Sequence, residues 1–372
     1  MNHARTCRPS IRFALLATCL CASVLGVSCD RASPVVGNND LSLDDISPRS
    51  GELHVPLNMA LKLRFNQYLL PASVLRQSLI VTSGTLDPET QTPKGPSYYL
   101  EPIYDPYERI VIYRPYRSRT WTPTTWHTVR VIAASEPSDP VGFRSITGAT
   151  LAQSDNASFM TSNHDTGHSC NLPKGHQLYC GIDAAATPSP TDRTADRRPR
   201  LPAVWSVLQT SCATSGCHQS DHPLGLDLSS PQAIRTTAIG VVARQTMHGP
   251  TMPAAPAAFP TRFGTDMPRI SPFSPANSYL VNKLLVHPGN HPPATPSGAT
   301  DTNDKADPDC WVEPLAPVAP PSESQLDQLR NHVVHGLPMP PNGQLTPPQM
   351  RAIVRWIIAG AQIPDACPAT SD

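Results

Sequence analysis

Apolar and polar positions alternate with a period of two through much of residues 46–162. Leu61, Leu63 and Phe65 alternate with Ala60, Lys62 and Arg64. Val129, Val131 and Ala133 alternate with Thr128, Arg130 and Ile132. Residues 109–113 form a short apolar run with β-branched members, and clusters of Gly, Pro, Asp and Ser separate such runs. Alternation gives a strand one apolar face, so the pattern predicts an all-β sandwich of half-buried strands.

Beyond residue 200 the apolar spacing becomes helical. Pro202 suits a first turn, and Val204 and Leu208, with Trp205 beside them, lead to Cys212. Asn277 is placed to cap a helix running to Val286. Ser322 is placed to cap another, with Leu326, Leu329 and Val333 on one face and a stop at Gly336. Thr346-Pro347-Pro348-Gln349 reads as a capping box with prolines in the first turn. Met350, Ile353, Val354, Ile357 and Ala361 then make one stripe, with Trp356 off it. Each helix is short, so packing has to stabilise it.

These patterns divide the chain into an all-β sandwich domain and a mainly α domain. Residues 1–29 read as an export leader: Arg5, Arg8 and Arg12 precede an apolar stretch, 13–28, that is short for a membrane span. Residues 30–44 read as a polar tether and 45–163 as the sandwich. Residues 164–200 read as a linker containing a Cys170/Cys180 loop, and 201–372 as the helical domain.

The 372 residues carry 29 basic and 29 acidic side chains, and three arginines belong to the leader, so the remainder is net −3. That excludes nucleic-acid binding through a strong basic field. Proline, at 44 positions, is more than twice the usual ~5%, which opposes one long helical bundle. Of ten cysteines, Cys7, Cys19 and Cys21 lie within the leader and Cys29 ends it. Cys170, Cys180, Cys212, Cys217, Cys310 and Cys367 remain. An even number in an oxidising compartment favours pairing. Nearness in sequence suggests Cys170 with Cys180 and Cys310 with Cys367, though spacing alone leaves connectivity open.

The chemistry concentrates at Cys212-Ala213-Thr214-Ser215-Gly216-Cys217-His218. Covalent haem attachment requires two thiols, one for each vinyl group, and a histidine beside the second thiol to bind iron. The common spacing is C-x-x-C-H, and here two further small residues lengthen the loop. On this reading Cys212 and Cys217 hold one haem c and His218 is the proximal ligand. A local disulfide is the alternative, and a zinc site is a third, although a second ligand pair is missing. Asp301, Asn303, Asp304, Asp307 and Asp309 lack the glycine and closing glutamate of an EF-hand loop and read as a solvated turn in an insertion-like stretch, 287–309. The N-terminal half shows no catalytic constellation. Trp121 and Trp126 read as packing aromatics, and Asn156-Ala157-Ser158 as a chance sequon.

Three segments also resemble known families. Leu25-Gly26-Val27-Ser28-Cys29 resembles a bacterial lipoprotein processing site, with Gly26 where leucine is usual. This implies lipidation of Cys29, ordinary signal cleavage being the alternative. Pro48-Arg49-Ser50-Gly51, Val55-Pro56-Leu57, Leu61-Lys62-Leu63-Arg64-Phe65-Asn66, Tyr113-Arg114-Pro115, the strand from His127 to Val131 and Phe159-Met160-Thr161 together resemble the S-layer-type bacterial Ig-like domain. That family implies a spacer or adhesion module.

The C-terminal half resembles the cytochrome c-like domains of bacterial envelope proteins. The resemblance rests on Cys217-His218, Gly225-Leu226-Asp227-Leu228, the segment from Pro275 to Leu284, Gly336-Leu337-Pro338-Met339-Pro340-Pro341 and Arg355-Trp356-Ile357-Ile358-Ala359-Gly360-Ala361. It implies Met339 as the distal iron ligand and Trp356 packed on the first helix. Met252, Met267, His332 and His335 are rival sixth ligands. The expected function is electron transfer in the cell envelope, periplasmic or at the outer membrane. The protein would be membrane-held by its lipid, with a redox protein as donor or acceptor and no catalysis of its own. Two other functions fit the sequence: a disulfide-stapled structural or adhesion lipoprotein, and a haem enzyme or sensor with an open distal position.

Overall fold

The protein is described here from a computed structural model covering residues 40–84, 89, 95–116, 120–134, 139, 141–164, 175–180, 201–214, 216–220, 225–243, 246, 267–291, 320–332, 334, 337–341, 343–365 and 367. The side chains of residues 331 and 332 are not among the described parts. Seven strands come first: β1 (Leu43–Ser47), β2 (Leu61–Phe65), β3 (Leu79–Ser83), β4 (Leu100–Asp105), β5 (Ile110–Pro115), β6 (Trp126–Val131) and β7 (Asp155–Met160). Six helices follow: α1 (Gly175–Cys180), α2 (Val204–Ser211), α3 (Pro231–Thr237), α4 (Tyr279–Leu285), α5 (Glu323–His332) and α6 (Pro347–Ile358).

The strands form two antiparallel sheets, one ordered β1-β2-β5-β4 and the other β3-β6-β7. Period-two alternation produces the sandwich. Leu61, Leu63, Phe65, Val111 and Tyr113 of the first sheet share one core with Leu79, Val81, Val129, Val131 and Phe159 of the second. Trp121 is buried there as expected, its indole Nε1 donating to the Met59 carbonyl at 2.7 Å.

The opposite face of the first sheet departs from the expected solvent exposure. Lys62 and Arg64 are only 2% and 5% exposed. On the same sheet, Ile110 and Ile112 belong to a second apolar core together with α2, α4, α5 and α6. The helices therefore cover the sheet's outer face, making three layers, and residues 40–372 form one compact unit. Alternation reports which side chains share a face; it does not report whether another layer lies over that face.

The turn between β4 and β5 anchors this layer. Asp105 accepts the backbone N–H of Tyr107 at 2.9 Å and of Glu108 at 3.2 Å. The turn thereby presents Glu108 to Arg351 of α6 and stacks Tyr107 on His291, with ring centroids 6.3 Å apart. In α5, Gln325 donates to the Asn66 carbonyl at 3.0 Å.

The helix ends follow the sequence with one change. Ser322 and Gln325 cap α5 reciprocally, and Gln349 accepts the Thr346 N–H at 2.8 Å at the start of α6. Asn277, expected to cap α4, instead ends a 3-10 turn, Pro275–Asn277, and Ser278 occupies the cap position. The single stripe expected on α6 is broader. Ala352, Trp356 and Ile358 are buried along with Met350, Ile353, Val354 and Ile357, because neighbours pack on more than one side. Among the described residues no helix is long and apolar enough to cross a membrane.

Candidate functional site

Helix α2 delivers the two-thiol loop. Val204, Val207 and Leu208 are buried, which fixes the helix against the core, and the N–H groups of Cys212 and Ala213 both bond the Leu208 carbonyl. The chain then turns back on itself. The Cys217 N–H bonds the Thr214 carbonyl at 2.9 Å, and the His218 N–H bonds the Cys212 carbonyl at 3.2 Å. Gly216 supplies the turn with a φ of +78°, a conformation that a side chain would resist. Outside the loop, the His218 carbonyl accepts the Leu228 N–H at 2.9 Å, and Gln219 donates to the Ala213 carbonyl at 3.0 Å. The two extra residues of the spacing are thus absorbed by a closed, hydrogen-bonded loop.

Cys212, Cys217 and His218 are all half-buried, and the two thiols are not bonded to one another. Burial, and then the neighbouring Cys217, pushes the Cys212 thiol up to about 12. Burial thus favours the neutral thiol over the thiolate at neutral pH. Among the described residues no three His, Cys, Asp or Glu side chains gather to hold a metal ion.

Met339 is half-buried and packs against the same apolar cluster as Cys212. Its loop contains Pro338, Pro340 and Pro341, the Met339–Pro340 peptide is cis, and its carbonyl accepts from Asn290 at 3.0 Å. The rival Met267 is 5% exposed, and its sulfur accepts from the Asn282 amide at 3.7 Å. Met252, His335, the His332 side chain and the acidic residues 301–309 lie outside the described residues, as do Cys29, Cys170 and Cys310.

The disulfide expectations need correction. Cys180 is bonded to Cys367, with Cα atoms 5.4 Å apart, so neither Cys170–Cys180 nor Cys310–Cys367 forms. The cause is the docking of α1 on the end of α6. Gly175 lies so close to Ala359 and Gln362 that a Cβ there would touch both, and the Tyr179 and Trp356 rings pack tilted with centroids 5.7 Å apart. Cys180 is thereby carried to the C-terminal segment. Nearness along the chain was a poor guide to nearness in space. Tyr179 also lies against Trp205 of α2, with ring centroids 5.8 Å apart and the rings tilted, so its ring sits between those of Trp356 and Trp205.

The beginning of the insertion-like stretch is also corrected. Residues 287–291 are packed, and Asn290 and His291 are buried. A 3-10 turn, Pro288–Asn290, presses so closely on Gln344 that a Cβ at Gly289 would collide with it.

The fold and site together define a β-sandwich with a helical layer that carries two unbridged thiols and an imidazole on one closed loop. No protein family model matches the chain, and no curated protein matches it. Solved structures that resemble about a third of it include the following three. The surface layer protein SbsC, domains 1–6, is 10% identical with a TM-score of 0.23, over 33% of this chain and 14% of that one. PcoC, a methionine-rich copper resistance protein from Escherichia coli, is 12% identical with a TM-score of 0.22, over 33% and 99%. CopC from Methylosinus trichosporium OB3b is 16% identical with a TM-score of 0.21, over 34% and 96%.

Proposed function

We propose that this chain is a c-type cytochrome-like electron carrier of the cell envelope. Cys212 and Cys217 would hold one haem c, and His218 and Met339 would be its axial ligands. One observation carries the reading. Cys180 and Cys367 are disulfide-bonded, yet Cys212 and Cys217, on a single loop, are not. Thiol pairs in an oxidising compartment commonly end as disulfides, and an unbridged pair beside a histidine is what thioether attachment would use.

The residues suit the group. Two thiols, an imidazole adjoining the second and a thioether on a proline-framed loop make up the donor set of a Met/His haem. A thioether bond is uncharged, which matches the buried setting that keeps the Cys212 thiol protonated. When bound, haem supplies a reversible one-electron couple, with Met/His ligation raising its potential. The protein's part is to hold the group and orient its ligands. The backbone bonds of the 212–218 loop fix the imidazole's base, and the prolines around Met339 limit the entropy lost on ligation. If His218 and Met339 both held the iron, the group would carry electrons and would not bind a substrate there.

The sandwich reads as a spacer or adhesion module of the S-layer-type Ig-like kind, and the leader with Cys29 reads as the membrane anchor. A donor or acceptor protein is the natural partner. The experiment is expression with a haem-attachment system, followed by a visible spectrum, an in-gel haem stain and an intact mass. A sharp Soret band and the added mass of one haem are expected. A colourless chain with a Cys212–Cys217 disulfide would replace this reading with a stapled structural lipoprotein. A high-spin spectrum with carbon monoxide binding would replace it with an enzyme or sensor.

A further inference from the structure

Asn290 is fully buried, and its carboxamide is saturated by three backbone groups from three different segments. Its Nδ2 donates to the Leu284 carbonyl at 2.8 Å and to the Met339 carbonyl at 3.0 Å. Its Oδ1 accepts the Leu345 N–H at 2.7 Å. The side chain therefore joins the end of α4, the proline-framed loop and the entry to α6. The turn that presents it is itself fixed: Pro288 opens the turn, the His287 ring accepts the Gly289 N–H at 3.1 Å, and Gly289 abuts Gln344.

A buried amide of this kind is costly to leave unpaired, and its partners are equally costly to strip. Packing alone would be met by an apolar side chain of similar volume. Asn290 does more, because it fixes the height and rotation of the Met339 backbone relative to α4 and α6. A thioether ligates iron only if its backbone holds it within about 0.5 Å of the required position.

We infer that Asn290 is the positioning residue for Met339, presenting its thioether for axial ligation. The inference rests on the haem reading and concerns the same site. It assigns to the 288–290 turn a role in deciding whether the sixth position stays closed.

The test compares haem-loaded wild type, Met339→Ala, Asn290→Ala and Asn290→Asp. The readouts are the thioether-to-ferric charge-transfer band, the reduction potential and carbon monoxide binding to the reduced form. Circular dichroism reports folding. Wild type should show the band and exclude carbon monoxide, and Met339→Ala should do neither. Folded Asn290→Ala should keep its haem but lose most of the band, with a lowered potential and carbon monoxide affinity raised about tenfold, the scale of one lost buried hydrogen bond.

Should Asn290→Ala fail to fold, Asn290→Asp decides. A carboxylate has no proton to give the Leu284 and Met339 carbonyls and a carboxylic acid has one where the amide has two, so in either state at least one of these bonds is lost and the band should be weaker than in wild type. A wild-type band lost in Met339→Ala but unchanged in folded Asn290→Ala, or undiminished in Asn290→Asp, overturns the positioning role alone. A haem-loaded wild type without the band overturns Met339 ligation and this inference together.

Discussion

Arg351 of α6 reaches Glu108, on the turn between β4 and β5, with its Nε 2.8 Å from the carboxylate. The contact joins the helical layer to the sandwich across 243 residues of sequence. Burial opposes the Arg351 charge, but the adjoining Glu108 outweighs it and the guanidinium is held more strongly protonated. Arg351→Met and Glu108→Gln should each destabilise by about 1 kcal/mol, lowering Tm by ~2–4 °C. The double variant should cost less than the sum. Full additivity in thermal unfolding would show that the pair contributes nothing beyond its separate parts.

Asp105 makes the same junction sensitive to pH. Burial, and next the Glu108 charge, push its carboxyl up to about 7, against the two N–H groups that favour the charged form. The folded value lies above the unfolded one near ~4, so the folded chain retains a proton that the unfolded chain has released. The stabilisation is complete in acid below the unfolded value and is lost as pH rises through about 7. Asp105→Asn keeps the acceptor oxygen and removes the titration. Its Tm should match wild type near pH 3, to within a degree or so, and exceed it at pH 8. Parallel Tm profiles across that range would contradict this account.

The Cys180–Cys367 bond closes a loop with a sequence separation of 187. Cys180→Ser with Cys367→Ser should cost about 2–5 kcal/mol in urea denaturation. Proteolysis should then begin near α1. Peptide mapping of wild type under non-reducing conditions should recover the two half-cystines in one linked fragment. A Cys170–Cys180 fragment would contradict the connectivity.

Trp356 is fully buried between ring stacking on Tyr179 and an indole bond to the Gln362 carbonyl at 3.0 Å. Trp356→Ala should cost about 3–5 kcal/mol, measured by chemical denaturation. Trp356→Phe should recover part of that through packing while leaving the Gln362 carbonyl without its donor. Equal losses from the two variants would mean that the ring itself contributes little.

The strands that alternate clearly were legible, as where Leu61, Leu63 and Phe65 share one apolar face. The role of their other face was not, since the cover over that face comes from helices far later in the chain, beginning with α2 at Val204. The α6 capping box was local and readable in Thr346 and Gln349. The α4 cap was misplaced by one residue because Asn277 and Ser278 are both good caps, and a preceding 3-10 turn decides between them. At the site, Cys212, Cys217 and His218 announce themselves through adjacency and residue type. Asn290 does not: after Pro288-Gly289 it looks like any turn asparagine, and only the folded chain brings Leu284, Met339 and Leu345 around it.

The doubly covered sheet governs how this molecule can be dissected. Cutting at the apparent linker, near residue 200, would cleave through a shared interior. A fragment holding only the strands would display Tyr107, Ile110 and Ile112 to water, and one holding only the helices would lose the floor on which α5 and α6 rest. Each half would be a sticky, incomplete body, so the helical layer and its pedestal have to be produced, mutated and inherited as a single piece.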